Sequence, residues 1–379
     1  MKPASLSIGE ARRLWLKAQR LDRETPFGSG PAAVRAAIEH LGYVQIDTIN
    51  VIERCHHHIL FNRIPAYRRD DLDIAQSVEK TVFEYWTHAL SYIPARDIRF
   101  FLPAMKAHRV EKNRWFANVS QADLRKAVGR VRREGALTIR DVDEKLIEKD
   151  HPWASRKPTK QALQMGFYNG ELTISGRTGM VKTYEIMARH FGWERPPRPA
   201  TERQVNDYVL DRALRAQGIV SLDSICHLDA KRKPAVAEHI ARRVKARKLV
   251  PIAVQGLEKT RFWAEPSTLE ETAELAHMTH VLSPFDPLII QRKRTAALFQ
   301  YDHLFEAYVP KAKRKLGYFA LPVLVGEHIV AAIDMKADRQ AGTLLIQNWT
   351  WTEHADRSLH QPEVENALDR FERFQFDRR

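Results

Sequence analysis

"VLDRALRAQGIVSLDSICHL" (residues 209–228), followed after a short link by "KPAVAEHIARRVKARKLVPIAVQGLEKTRFWA" (233–264), is the stretch from which the architecture is read. A helix ends near Gly218. A short extended lead, "VSLDSIC", runs into a second helix, and Lys233-Pro234 opens a third. Two short strands with a glycine turn between them close the unit. The same order occurs upstream in "LRKAVGRVRREGALTIRDVDEKL" (124–146) and "KPTKQALQMGFYNGELTISGRTGMVKTYEI" (157–186), with Gly135 and Lys157-Pro158 in the matching places. Helix, helix, helix and hairpin is the winged-helix order, a helix-turn-helix variant whose third helix recognises DNA and whose hairpin is the wing. Two copies make an internal repeat, which chance explains less well than one. Winged helices also serve as protein-interaction modules, so the order alone does not establish DNA binding.

Outward from the repeat, residues 7–21 place Ile8, Ala11, Leu14, Trp15, Ala18 and Leu21 at helical spacing, with Ser7 and Glu10 spaced as a capping box. Pro31 opens another helix with Val34, Ala37, Ile38 and Leu41 on one face, and Gly42 stops it. These residues could form a third, diverged copy. Residues 81–117 are rich in aromatics and read as a strand followed by helices. Beyond Pro266, "HLFEAYVP" (303–310), "LGYFALPVLV" (316–325), "EHIVAAIDMKA" (327–337) and "TLLIQNWTWT" (343–352) read as strands of a small antiparallel sheet or barrel, and 362–374 as a closing helix. The fold class is α+β: tandem winged-helix units over 1–118, 119–200 and 201–266, then a small antiparallel β-barrel domain over 267–379.

The 379 residues carry 61 Lys and Arg against 47 Asp and Glu, for a net charge of +14. That excess favours a polyanionic partner, nucleic acid above all, the alternative being a basic but unspecific surface. No apolar run approaches the ~18 residues of a membrane helix, and the N-terminal stretch lacks a signal peptide's apolar centre. Two distant cysteines, Cys55 and Cys226, make no disulfide framework, so a reducing, cytoplasmic compartment is expected. Neither a P-loop nor a dinucleotide-binding glycine pattern follows a strand. "CHHH" (55–58) suggests metal at first sight, but consecutive side chains on a helix point apart and no i, i+4 pair is present. No metal and no cofactor are expected.

"GYVQIDTIN" (42–50) sets an amide, Gln45, and a carboxylate, Asp47, in an apolar run. If 43–47 is extended, alternation puts both on one face and sends Val44 and Ile46 to the core. Two readings stand. Asp47 or Thr48 could cap a helix over "TINVIERCHHHILFNRI" (48–64), with Gln45 on an edge. Alternatively the pair holds a water: Asp47 takes its proton, Gln45 orients it, and the carboxylate stabilises a cationic sugar. Basic groups cluster elsewhere. Arg156, Lys157 and Lys160 start a recognition helix, Arg177 and Lys182 lie in a wing, 230–248 is a second basic helix, and Lys311, Lys313, Arg314 and Lys315 sit at a hairpin tip. Each cluster is either a phosphate contact or a solvated face.

"GYVQIDTINVIERCHHHIL" (42–60) and "LSPFDPLIIQRKRTAALFQYDHLFEAYVPKAKRKLGYFALPVLVGEHIVAAIDMKADR" (282–339) resemble the winged-helix DNA glycosylases of the AlkZ/YcaQ type, bacterial enzymes that unhook interstrand crosslinks. The resemblance covers nearly the whole chain. It implies three tandem winged helices plus a β-barrel, and makes the N-terminal copy a true one. The family's motif is Gln-x-Gln in one branch and Gln-x-Asp in the other. Gln45-Ile46-Asp47 is similar to the second, YcaQ-type branch, which implies activity on N7-alkylated guanines and nitrogen-mustard-type crosslinks. Implied with it are a monofunctional glycosylase in DNA repair, Gln45 and Asp47 as its catalytic residues, and a monomer acting on double-stranded DNA with alkylated or crosslinked guanine, with no membrane partner. His56, His57 and His58 would lie near the site without a catalytic role. The competing expectation is a non-enzymatic winged-helix regulator, which usually dimerises to read paired half-sites.

Overall fold

Ser7 begins the first helix as its pattern requires: its hydroxyl accepts from the Glu10 backbone N–H at 3.2 Å, and the Glu10 carboxylate accepts from the Ser7 N–H at 2.7 Å. The helix, Ile8–Ala18, buries Ala11, Leu14 and Trp15. Gly30–Leu41 follows, with proline in its first turn, and Gly42 ends it at φ 78°, a left-handed conformation that suits glycine. The computed structural model describes residues 3–110, 116, 119–142, 144, 157–270 and 275–377. The chain divides into two units, Met1–Tyr67 with Asn206–Arg379, and Arg68–Val205.

In the first unit, residues 206–217 of the helix Glu202–Gln217, then Leu222–Ile225 and Lys233–Lys245, precede the antiparallel strands Val250–Val254 and Phe262–Ala264, the element order read from the sequence. Leu210, Val220, Ile225, Val236, Ile240 and Leu249 form their shared core. The sequence reading missed one strand. Ala4–Leu6 pairs in parallel with Val250–Val254, so the start of the chain completes this sheet. A larger core joins Trp15 and Leu16 to Val254, Phe262, Leu288, Phe299 and Ile329, which explains why chain ends far apart in sequence share one unit.

The C-terminal strands Thr279–Val281, Ala320–Val325, His328–Asp338 and Thr343–Trp351 form a four-stranded antiparallel sheet in that order. The expected barrel is corrected here: among the described residues the first and last strands are outer strands with no ladder between them. The helix Arg357–Gln375 accompanies the sheet instead, burying Val364, Ala367, Phe371 and Phe374. Its Glu372 takes the Leu344 N–H at 2.7 Å and its Arg370 donates to the Thr279 carbonyl at 3.1 Å. "HLFEAYVP" is not a strand. Glu306, buried, accepts the backbone N–H groups of Lys315, Leu316 and Gly317, which folds 302–319 into a loop.

In the second unit, the hairpin Val82–Trp86/Leu90–Pro94 precedes Leu102–Val110, Gln121–Glu134 and Pro158–Tyr168. Leu172–Thr178 and Val181–Ile186 then pair around Gly179. The two repeats share a detail: each sends a short extended lead onto its last strand, Leu137 opposite Tyr184 and Val220 opposite Trp263. Among the described residues no helix is long and apolar enough to cross a membrane.

Candidate active site

Val44–Gln45 is a two-residue strand, and both residues are buried. Regular structure stops there, so strand alternation does not extend to Asp47. Nor does a helix begin at Thr48. The next helix is Cys55–Phe61, capped by Arg54 without a side-chain hydrogen bond, so the expectation of a helix from 48 is corrected. The cause is local. Val44, Ile46, Thr48, Ile49, Val51 and Ile52 make the segment rich in β-branched residues, which resist helix. Asp47 caps no helix. Its Oδ1 accepts the Ile49 N–H at 2.8 Å, an Asx turn that pins the half-buried carboxylate to its own loop.

Both sides of the loop are anchored. The Cys55 thiol donates to the Gln45 carbonyl at 3.1 Å, linking the first residue of the helix to the first residue of the motif. Burial, and then the negative charge of Asp47, hold that thiol well above its ordinary pKa, so it stays protonated and serves as a donor. Beyond the helix, Arg63 is fully buried and grips Asp286 with two bonds of 2.8 and 3.0 Å, while its Nε donates to the Gln19 carbonyl at 2.9 Å. Asp286 belongs to "SPFDP" (283–287), so the second stretch that carries the family resemblance is held to Arg63, three residues past the end of the first. The sequence reading missed Arg63, and also Glu53, a buried carboxylate inside the loop that accepts the Arg54 N–H at 2.7 Å.

The three histidines diverge. His58 lies in the core, stacked on Phe371 at 4.3 Å, and its Nε2–H donates to the Val281 carbonyl at 2.7 Å. Burial pushes its pKa down to about 4, so it is neutral at pH 7 and structural. His56 is buried against the His57 ring at 4.3 Å, and His57 Nδ1 shares a 2.7 Å hydrogen bond with the Tyr67 hydroxyl. Among the described residues no three His, Cys, Asp or Glu side chains converge as a metal set.

The expected DNA contacts separate into two kinds. Arg156 lies outside the described residues. Lys157 caps the helix Pro158–Tyr168 and donates to the carbonyls of Ile139 and Val142 at 3.2 and 2.8 Å, so its ammonium holds the repeat together. Arg177 is corrected outright. It is buried in a bidentate pair with Glu84, both bonds 2.6 Å, and does not project from a wing. Lys182 is half-buried with its ammonium 5.1 Å from the Phe167 ring centre. Lys160 is half-buried on its helix. Lys311, Lys313 and Lys315 are exposed, on a loop with a single 3-10 turn rather than a hairpin tip. Arg314 turns back, donating to the Val309 carbonyl at 2.8 Å with its guanidinium over Tyr318.

Residues 38–374 match the family model described as DNA glycosylase AlkZ-like. The chain belongs to the AlkZ-like DNA glycosylase family. Membership makes this protein a DNA glycosylase and makes DNA its substrate. The fold agrees: the structure of Streptomyces sahachiroi DNA glycosylase AlkZ superposes with a TM-score of 0.64, covering 98% of this chain and 97% of that one at 16% identity. The chain thus shares that α+β fold over almost its full length.

Proposed function

We propose that the glycosylase hydrolyses the N-glycosidic bond of N7-alkylated guanine, present as a monoadduct or as one arm of an interstrand crosslink, with Asp47 and Gln45 as its catalytic residues. The observation that carries this is the placing of Asp47: a half-buried carboxylate on an irregular loop, fixed by the Ile49 N–H through one oxygen. An ionised carboxylate accepts at about four lone-pair positions, so the Asx turn leaves capacity for a water and a sugar.

The chemistry asks little more. N7-alkylation has already made the base cationic. The C1′–N9 bond breaks with its electron pair going to N9, and the base leaves neutral without an added proton. Asp47 stabilises the oxocarbenium character at C1′. Water bonds to C1′ and gives its proton to Asp47, while the Gln45 amide orients it. No amine enters the mechanism, so the product is an abasic site and the enzyme is monofunctional. Aspartate at position 47 supports the YcaQ-type reading, with its broader alkylation and crosslink substrates. Extruding a crosslinked base is hampered by its tether to the other strand, whereas a monoadduct is not so constrained.

In this reading the repeats at 124–186 and 209–264 are winged helices that hold the duplex as a monomer, with Lys160, Lys311, Lys313 and Lys315 at phosphates. The test is release of 7-methylguanine from methylated duplex DNA. Wild-type protein releases it and Asp47→Asn releases it at least about a hundredfold more slowly. Equal release by the two would remove Asp47 from the chemistry.

A further inference from the structure

We infer that Arg339, at the turn between the last two strands of the C-terminal sheet, is a positioning residue for catalysis, setting the geometry of the loop that carries Asp47. The inference rests on the reading of Asp47 above. Residues 46–54 have neither helix nor ladder, yet three consecutive carbonyls in this stretch are satisfied from one place. The Arg339 guanidinium donates from Nη2 to the Asn50 carbonyl at 2.9 Å and to the Ile52 carbonyl at 2.8 Å. Between them, the Ala337 backbone N–H donates to the Val51 carbonyl at 2.9 Å.

The donor is itself held in place. Asp338 Oδ1 accepts the N–H groups of Gln340 and Ala341, each at 3.1 Å, closing the turn on which Arg339 stands. That turn joins His328–Asp338 to Thr343–Trp351, a ladder running from Asp338–Thr343 to Ala331–Trp351. A rigid sheet thus reaches over to a loop that its own sequence leaves irregular. The far side of the loop is pinned by the Asp47 Asx turn and the Cys55 thiol. Asp47 therefore stands between two fixed ends, and Arg339 supplies two of the three bonds at one of them.

Arg339 itself is exposed, so removing it leaves no buried charge and costs the fold little. The expected consequence lies in rate rather than stability. A carboxylate that must meet C1′ and a water at once is sensitive to displacement, and misplacement by about 1 Å can cost up to ~100-fold. For Arg339→Ala we expect a loss of about tenfold in the single-turnover rate. Melting temperature and affinity for undamaged duplex should stay as in wild type. Arg339→Lys keeps a donor within reach of the carbonyls and should recover part of the loss.

The experiment measures single-turnover release of 7-methylguanine and undamaged-duplex affinity for wild type, Arg339→Ala, Arg339→Lys, Asp47→Asn and the Arg339→Ala/Asp47→Asn double variant. Support is a rate loss at constant affinity, partly recovered by lysine and absent on the Asp47→Asn background. An unchanged Arg339→Ala rate beside a strongly slowed Asp47→Asn overturns the role of Arg339 alone. A loss in rate matched by a loss in affinity also overturns it, making Arg339 a phosphate contact. An active Asp47→Asn overturns the parent reading, whatever Arg339 does.

Discussion

The hairpin segment at 175–182 and the basic loop at 311–315 read alike in sequence, yet their cations end in different places. In the hairpin, the nearby acid meets a side chain: Glu84 takes both arms of the Arg177 guanidinium, and both side chains are buried. In the loop, the acids meet backbone. Glu306 accepts the N–H groups of Lys315, Leu316 and Gly317, and Asp334 those of Tyr318 and Phe319. Carboxylates spent on backbone N–H groups leave Lys311, Lys313 and Lys315 exposed. A run of basic residues becomes an outward-facing surface or a piece of core according to what its neighbouring acids bind.

Four variants would break or sharpen this contrast. Glu84→Ala strands the Arg177 guanidinium in the interior, and losing one partner of a buried pair typically costs about 3–5 kcal/mol. Denaturant unfolding should show that loss. If Arg177 were a phosphate contact, Arg177→Ala would instead weaken DNA binding with stability intact. Replacing Lys311, Lys313 and Lys315 together by alanine should do the opposite: stability holds, and the slope of log K against log salt flattens by about 3 if each lysine meets one phosphate. An unchanged slope would take the loop off the DNA path.

The smallest effect concerns Lys182. Burial pushes its pKa down to about 8 from an ordinary 10.5, with the Arg177 and Lys160 charges adding to the shift and Glu84 opposing it. The folded state therefore disfavours the charged form, and between those two values the unfolded chain binds more protons, so this group's contribution to stability rises with pH. Lys182→Met removes the penalty. The variant should gain on wild type below pH 8 and lose that advantage as the pH rises toward 10.5. A difference independent of pH would show that Lys182 is solvated like the loop lysines.

Local signals were the legible ones. The Ser7/Glu10 box, Pro31, Gly42 and the Lys-Pro openings each act within one turn of chain, and the structure places helices where they point. Long-range satisfaction was not legible. Nothing in "ASL" (4–6) announces a strand, because its partner lies at 252–254. Nothing in "SGRTG" announces that Arg177 would turn inward to an acid 93 residues away. The motif loop shows both effects. Gln45 and Asp47 stood out as polar residues in an apolar run, but the helix expected after them yields to an irregular segment. Its carbonyls find donors in Ala337 and Arg339, which sequence spacing cannot reveal.

The central claim is that a carboxylate fixed on this loop carries the chemistry. Single-turnover release of 7-methylguanine by Asp47→Asn tests it most directly, because asparagine keeps an oxygen for the Ile49 N–H and removes the charge. The expected result is a rate loss of at least about a hundredfold, the scale for removing a group that stabilises transition-state charge, with affinity for undamaged duplex unchanged. A rate within a few-fold of wild type would contradict it.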